Sequence, residues 1–232
     1  MSSLTMTVII GSGAGGTLDS LAALIMYFFN VLVSVVFLTL AFSFLASFGY
    51  FKNERKFVLI ISVIGGLIFF LFIGLTLASL LVAAGVFLSS YLIVPLANNY
   101  GKEMKNWIHF RVGSNSTSRA HFVFNIFVAL AVFAAILINQ PYYEEAFRSD
   151  LKQTMMALVG GSLPAGVDSS AMTPMIEERI NEFLNSPLIS SYTRWLPAIA
   201  AFGVWALLEI MRLFLPFLAG LFTALMIKIE KL

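Results

Sequence analysis

Residues Phe57 to Ala97 read FVLIISVIGGLIFFLFIGLTLASLLVAAGVFLSSYLIVPLA, 41 positions without one Asp, Glu, Lys or Arg. A helix rises about 1.5 Å per residue, so a single helix of this length would reach about 60 Å, twice the roughly 30 Å hydrocarbon core of a bilayer. Two helices, 57–75 and 78–97, fit if the chain turns at Gly74-Leu75-Thr76. One overlong helix, partly covered by other protein, is the alternative. Water cannot satisfy backbone groups in lipid, so apolar runs of this kind form helices. The alternating pattern of a membrane barrel is absent.

The rest of the chain agrees. Of the 232 residues, 59% are hydrophobic and 11% charged, less than half the roughly 25% charge of a soluble domain. The mean hydropathy is +0.93. Charges are also missing between Asp19 and Lys52 and between Arg119 and Glu144. The expected fold is all-α: a polytopic membrane protein of five, alternatively four, transmembrane helices with a small helical extracytoplasmic loop domain.

The expected organisation is a Gly-rich flexible tail at 1–19, then four membrane helices within 20–140, with basic cytoplasmic loops at 52–56 and 98–121. An acidic, helical extracytoplasmic loop follows at 141–192, and 193–232 supplies the last membrane helix and a basic C-terminus. Asn139-Gln140-Pro141 stops the fourth span. Within the outer loop, Tyr142 to Val159 reads as an amphipathic helix ended by Gly160-Gly161. A second helix begins at Thr173-Pro174, with Ile176, Ile180, Phe183 and Leu184 on one face. Lys and Arg counts set the orientation. Five spans put the N-terminus and the loop 141–192 outside, where seven acidic residues outweigh Arg148, Lys152 and Arg179, and the C-terminus inside. Four spans would put Lys52, Arg55 and Lys56 outside. The membrane is expected to be a plasma or inner membrane.

Glu209 and Arg212 carry the strongest functional signal. They lie three apart on one helix face, inside the last apolar segment. Ionisable groups in such a setting are costly and are functional candidates. Two bland readings stand beside an ion or proton pathway. The pair could lock its helix to a neighbour, or the segment could bend and leave the pair at the inner interface. Arg212-Leu213-Phe214, followed by Ala219-Gly220, resembles the arginine helix of the rotary ATP synthase a subunit. That resemblance implies an arginine between two proton half-channels. It departs at Pro216, where that family has Asn, and covers nine residues.

Small residues recur at helical spacing: Ser62 and Gly66, Gly74 and Ala78, Ser79 and Ala83, Gly85 and Ser89, with Pro216, Ala219 and Gly220 later. Such faces let helices approach closely, within one chain or between chains. Lys102, Lys105, Trp107 and Arg111 read as an interfacial anchor.

Other motifs carry less. Gly11-Ser12-Gly13-Ala14-Gly15-Gly16 spells a dinucleotide fingerprint, and with Val8-Ile9-Ile10 before it resembles that of flavin oxidoreductases. The acidic residue required about 20 positions on falls among Val31 to Val36 instead, inside a span. His109 and His121 have no metal-ligand spacing, and Asn115-Ser116-Thr117 is a sequon by letters on an inner loop. There is no cysteine, which excludes disulfides and thiolate chemistry. No cofactor, nucleotide or nucleic-acid motif is evident, and no serine has a His or Lys partner within a span.

The expectation is a non-enzymatic membrane subunit of an oligomeric or multi-subunit assembly, a translocation or secretion channel component. Its partners would be the lipid bilayer and other membrane subunits or copies of itself. The chain has the general look of inner-membrane subunits of secretion and DNA-transfer channels. The alternative is a transporter of an ion, a proton or a small solute, using Glu209 and Arg212.

Overall fold

A computed structural model describes residues 16–52, 54–104, 107–162 and 169–230. The described residues form eight helices: α1 (Gly16–Phe51), α2 (Arg55–Ile73), α3 (Leu77–Glu103), α4 (Ile108–Ile138), α5 (Gln140–Ser162), α6 (Ser169–Leu184), α7 (Pro187–Arg212) and α8 (Leu215–Glu230). Five stretches are long and apolar enough to cross a membrane: Leu32–Phe51 in α1, and α2, α3, α4 and α7. The protein is an all-helical, multi-pass membrane protein. Residues 1–15 of the Gly-rich tail, with the fingerprint-like glycines Gly11 to Gly15, lie outside the described residues.

Phe57 to Ala97 folds as two helices. Gly74 turns the chain at φ +111°, a left-handed conformation that glycine adopts without a Cβ clash. Thr76 and Ser79 then start α3 reciprocally. The Ser79 N–H donates to the Thr76 hydroxyl at 3.1 Å, and the Thr76 N–H donates to the Ser79 hydroxyl at 2.9 Å. Two amides that a helix start would leave bare are thereby satisfied. The Ser79 hydroxyl also bonds the Gly74 carbonyl.

The chain divides into two compact units. The first contains α1, α8, the end of α3 from Ile93 and the start of α4 to Ser118. Gly49 lies on Val94, where a Cβ would come within 2.8 Å of the Val94 Cα and carbonyl oxygen. Gly113 faces α8, where a Cβ would come within 2.8 Å of the Ala219 carbonyl oxygen. Gly220 lies against Phe110, whose ring meets Phe217 edge-on at 5.8 Å. The Thr223 hydroxyl donates to the Ser43 carbonyl at 3.2 Å. Along α1, the hydroxyls of Thr39, Ser43 and Ser47 donate to carbonyls four residues back. These three α1 hydroxyls are thus buried with a hydrogen bond made inside their own helix.

The second unit contains α2, α3 to Leu92, α4 from Arg119, and α5 to α7. A Cβ on Gly66 would come within 3.1 Å of the Ala83 carbonyl oxygen, and Gly85 abuts Phe127. Ser62, Ala83 and Ser89 are buried in this unit, while Ala78 is half-buried. The opposite face of α2 is open, with Leu71 and Phe72 among the most exposed side chains. An apolar exposed face is what lipid contact requires.

Four expectations need correction. Residues 98–121 do not form a loop: only 104–107 separate α3 from α4, and Val112, Ser116, Thr117 and His121 are buried. The Ser116 hydroxyl bonds the Val112 carbonyl, so a stretch that reads as polar hides its polarity within the helix. The sequon letters fall inside α4. The outer helix begins at Ser169 and not at Thr173-Pro174, and α5 continues past Gly160-Gly161 to Ser162. The last span starts at Pro187, with Ser186 as N-cap and Pro at the first turn.

The fourth correction concerns the end of the chain. The apolar segment expected as one last membrane helix, with a bend after Arg212 as the alternative, is split at Leu213-Phe214 into α7 and α8. Pro216 has no N–H to offer the Arg212 carbonyl, and its ring crowds that carbonyl. The Leu213 and Phe217 amides instead donate three residues back, to Ile210 and Phe214, at 3.1 Å each. α8, at 16 residues, is about 24 Å long and shorter than a full crossing.

Candidate functional site

The intramembrane charges meet partners in the second unit. Arg212 Nη2 lies 2.6 Å from Glu209 Oε2. Asn125 Nδ2 on α4 donates to Glu209 Oε1 at 2.9 Å. The Arg212 guanidinium stands over the Phe122 ring, 5.1 Å from its centroid. Phe122 and Asn125 are three apart on α4, as Glu209 and Arg212 are on α7, so two helix faces meet through four side chains. Both oxygens of the carboxylate are engaged, and the cation has a counter-ion and an aromatic face.

Sequence reasoning missed Asn125, which is 2% exposed. The signal was present: an amide in an apolar helix needs a partner, and the other charged span supplies it. His121, one turn before Asn125, is also buried.

The pair's depth follows from α7. Arg194 and Trp195 mark a polar and aromatic boundary. Arg212 lies about 26 Å further along the helix, close to the full thickness of the hydrocarbon core. The pair lies in the last turn of α7, which ends at Arg212. Side-chain exposure is 17% for Glu209 and 28% for Arg212.

A second polar cluster ties α5, α6 and α7 together. Arg148 Nη2 and the Thr193 hydroxyl both donate to Glu144 Oε1, at 3.0 and 2.9 Å. Arg148 Nη1 donates to the Leu184 carbonyl at 2.5 Å. That carbonyl is one of the last of α6, left without a helical amide and favourably placed for a cation. The Arg148 hydrogen bond and then the Thr193 hydroxyl hold the Glu144 carboxyl below its ordinary value. Phe147 and Tyr192 stack beside the cluster at 5.3 Å.

Between α5 and α6 lies an apolar groove of about 350 Å³, lined by Met155, Val159, Met175, Ile176, Arg179 and Ile180. Met175 is 63% exposed and Leu158 69%. Neither helix is among the five that could span a membrane.

Of the interfacial residues, Lys102, Trp107 and Arg111 are exposed, and Lys105 lies outside the described residues. Gly74 and Ser79 form the α2–α3 turn, and Ala219 and Gly220 are buried against α4 with Pro216 half-buried. Among the described residues no group of three His, Asp or Glu could hold a metal.

No protein family, curated protein or solved structure matches this chain.

Proposed function

We propose that the chain is a non-enzymatic integral subunit of a larger membrane assembly, a component of a translocation or secretion channel. The observation that carries this reading is the α5–α6 groove. These two helices carry Glu145, Asp150, Glu177 and Glu178 and lie outside the spanning set. They nevertheless leave Met155, Val159, Met175, Ile176 and Ile180 around an open groove. Apolar surface beside charges, outside lipid, calls for protein cover. The basic connections at 52–56 and 104–107 face the cytoplasm in this reading, and α5–α6 face outward.

The Glu209–Arg212 pair supports the same reading. Its members are engaged by each other, Asn125 and Phe122, so it fixes α7 on α4. The alternative, an ion or proton transporter, draws on the same pair and on buried His121. Glu209→Gln distinguishes the two: loss of flux with the assembly intact favours the transporter, and loss of assembly favours the subunit.

The absence of cysteine makes a direct test simple. Met175→Cys gives a unique label site in the groove, and Glu178→Cys one on the polar face of α6. In native membranes the subunit reading expects Met175→Cys to resist a membrane-impermeant maleimide while Glu178→Cys reacts. After reconstitution of the isolated chain in lipid, both react. Equal labelling in native membranes contradicts the reading.

A further inference from the structure

The corner between α3 and α4 is built for something outside the chain. Trp107 holds φ +54°, the one positive φ outside glycine among the described residues. A bulky residue is strained there, and its N-cap position is kept by the Arg111 N–H donating to the Trp107 carbonyl at 2.9 Å. The indole gains little from the fold in return, since Trp107 is 79% exposed.

Cations flank it. A Cβ on Gly101 would lie 3.9 Å from Val112 Cγ2 and 3.0 Å from the Tyr50 ring. Tyr50 also meets the His109 ring edge-on at 5.4 Å. The end of α1, the end of α3 and the start of α4 therefore converge. Lys52, Lys102 and Arg111, each within two residues of these contacts, are all exposed. Glu54 and Glu103 are the described acidic neighbours in the chain.

We infer that this corner is a headgroup site for an anionic phospholipid, with Lys102 and Arg111 on the phosphate and Trp107 seated among the headgroups. An indole suits that depth because its body is apolar and its N–H is wet. Each cation near an anionic membrane surface strengthens attachment to it by roughly fivefold. The inference needs only that the chain lies in a membrane, and stands apart from the assembly reading.

The test uses the whole chain in lipid nanodiscs, with Trp195→Phe and Trp205→Phe leaving Trp107 as reporter. Brominated phosphatidylglycerol and brominated phosphatidylcholine are compared at equal mole fraction. The expected result is several-fold stronger quenching by the brominated phosphatidylglycerol, lost in Lys102→Gln/Arg111→Gln. Equal quenching by the two lipids overturns the inference. Inorganic phosphate, at ionic strength matched with chloride, should leave the difference intact. If phosphate erases it, the corner is a free-phosphate site and the lipid assignment fails. Native mass spectrometry of the chain with its tryptophans intact gives an independent reading. Preferential retention of phosphatidylglycerol, lost in the double variant, supports the site, and equal retention of both lipids overturns it.

Discussion

Removing Glu209 should be worse than removing Glu209 and Arg212 together. In Glu209→Ala, Arg212 loses a carboxylate 2.6 Å away and Asn125 loses its acceptor. Stripping one partner from a fully buried ion pair costs about 3–5 kcal/mol. Arg212 keeps 28% of its side chain exposed, so a cost of about 2–3 kcal/mol is expected. Glu209→Ala/Arg212→Ala leaves no stranded charge, only lost packing and the Asn125 bond. An interhelical hydrogen bond in a membrane averages about 0.6 kcal/mol, so the double variant should cost about 1 kcal/mol. Asn125→Leu alone should cost about 0.6 kcal/mol, with about 1.7 as a ceiling. The assay is reversible unfolding in mixed micelles with rising dodecyl sulfate, followed by circular dichroism. A double variant as costly as the two singles summed would refute the coupling on which the α4–α7 lock rests.

Four further outcomes follow from the geometry. Gly49→Ala should destabilise the first unit by about 1–3 kcal/mol, because its Cβ would meet Val94 backbone atoms at 2.8 Å; the same unfolding assay reads it. Pro216→Ala restores an amide for the Arg212 carbonyl, so hydrogen exchange at Leu213 to Phe217 should slow as the helix closes across the break. The Glu144 carboxyl is held below its ordinary 4.5 by Arg148 and Thr193. The folded form thus binds fewer protons than the unfolded one, and the clamp's stability, full above about pH 4.5, is lost as pH falls through the lower folded value. Amides around Leu184 and Thr193 should exchange faster there, with the pH dependence flattened in Arg148→Gln. Trp107→Gly, which relieves φ +54°, should raise the unfolding free energy in detergent by about 1 kcal/mol while weakening retention of anionic lipid.

The spans were legible because their signal is length without charge. Phe57 to Ala97 could not be one crossing, and glycine at 74 was the available turn. The reciprocal Thr76 and Ser79 cap was readable too, but two hydroxyls in an apolar run look like small packing residues. Asn139-Gln140-Pro141 marks the end of α4, but only Asn139 separates it from α5, which Gln140 and Pro141 begin. The stretch Gly113 to Ser118 misled for a physical reason: helical hydroxyls bond their own carbonyls, so low hydropathy does not mean a water-facing loop.

The site was half legible. Glu209 and Arg212 stood out as charges in an apolar segment, whereas Asn125 comes from a helix 84 positions away, and only the tertiary fold joins them. Glu144 and Arg148 have helical i, i+4 spacing, yet the Thr193 hydroxyl and the Leu184 carbonyl complete their cluster. The break that ends α7 was legible only as an alternative, a bend after the charge pair, because neighbours as apolar as Leu215 and Phe217 also suit one continuous helix.

The assembly reading is tested most directly by extracting the unaltered chain in a mild detergent and weighing it by native mass spectrometry. Stoichiometric companion chains, foreign or identical, are expected to persist at dilution and to dissociate on Met175→Lys in the α5–α6 groove. A chain of 25.5 kDa carrying lipid alone, from gently extracted native membranes, would contradict it.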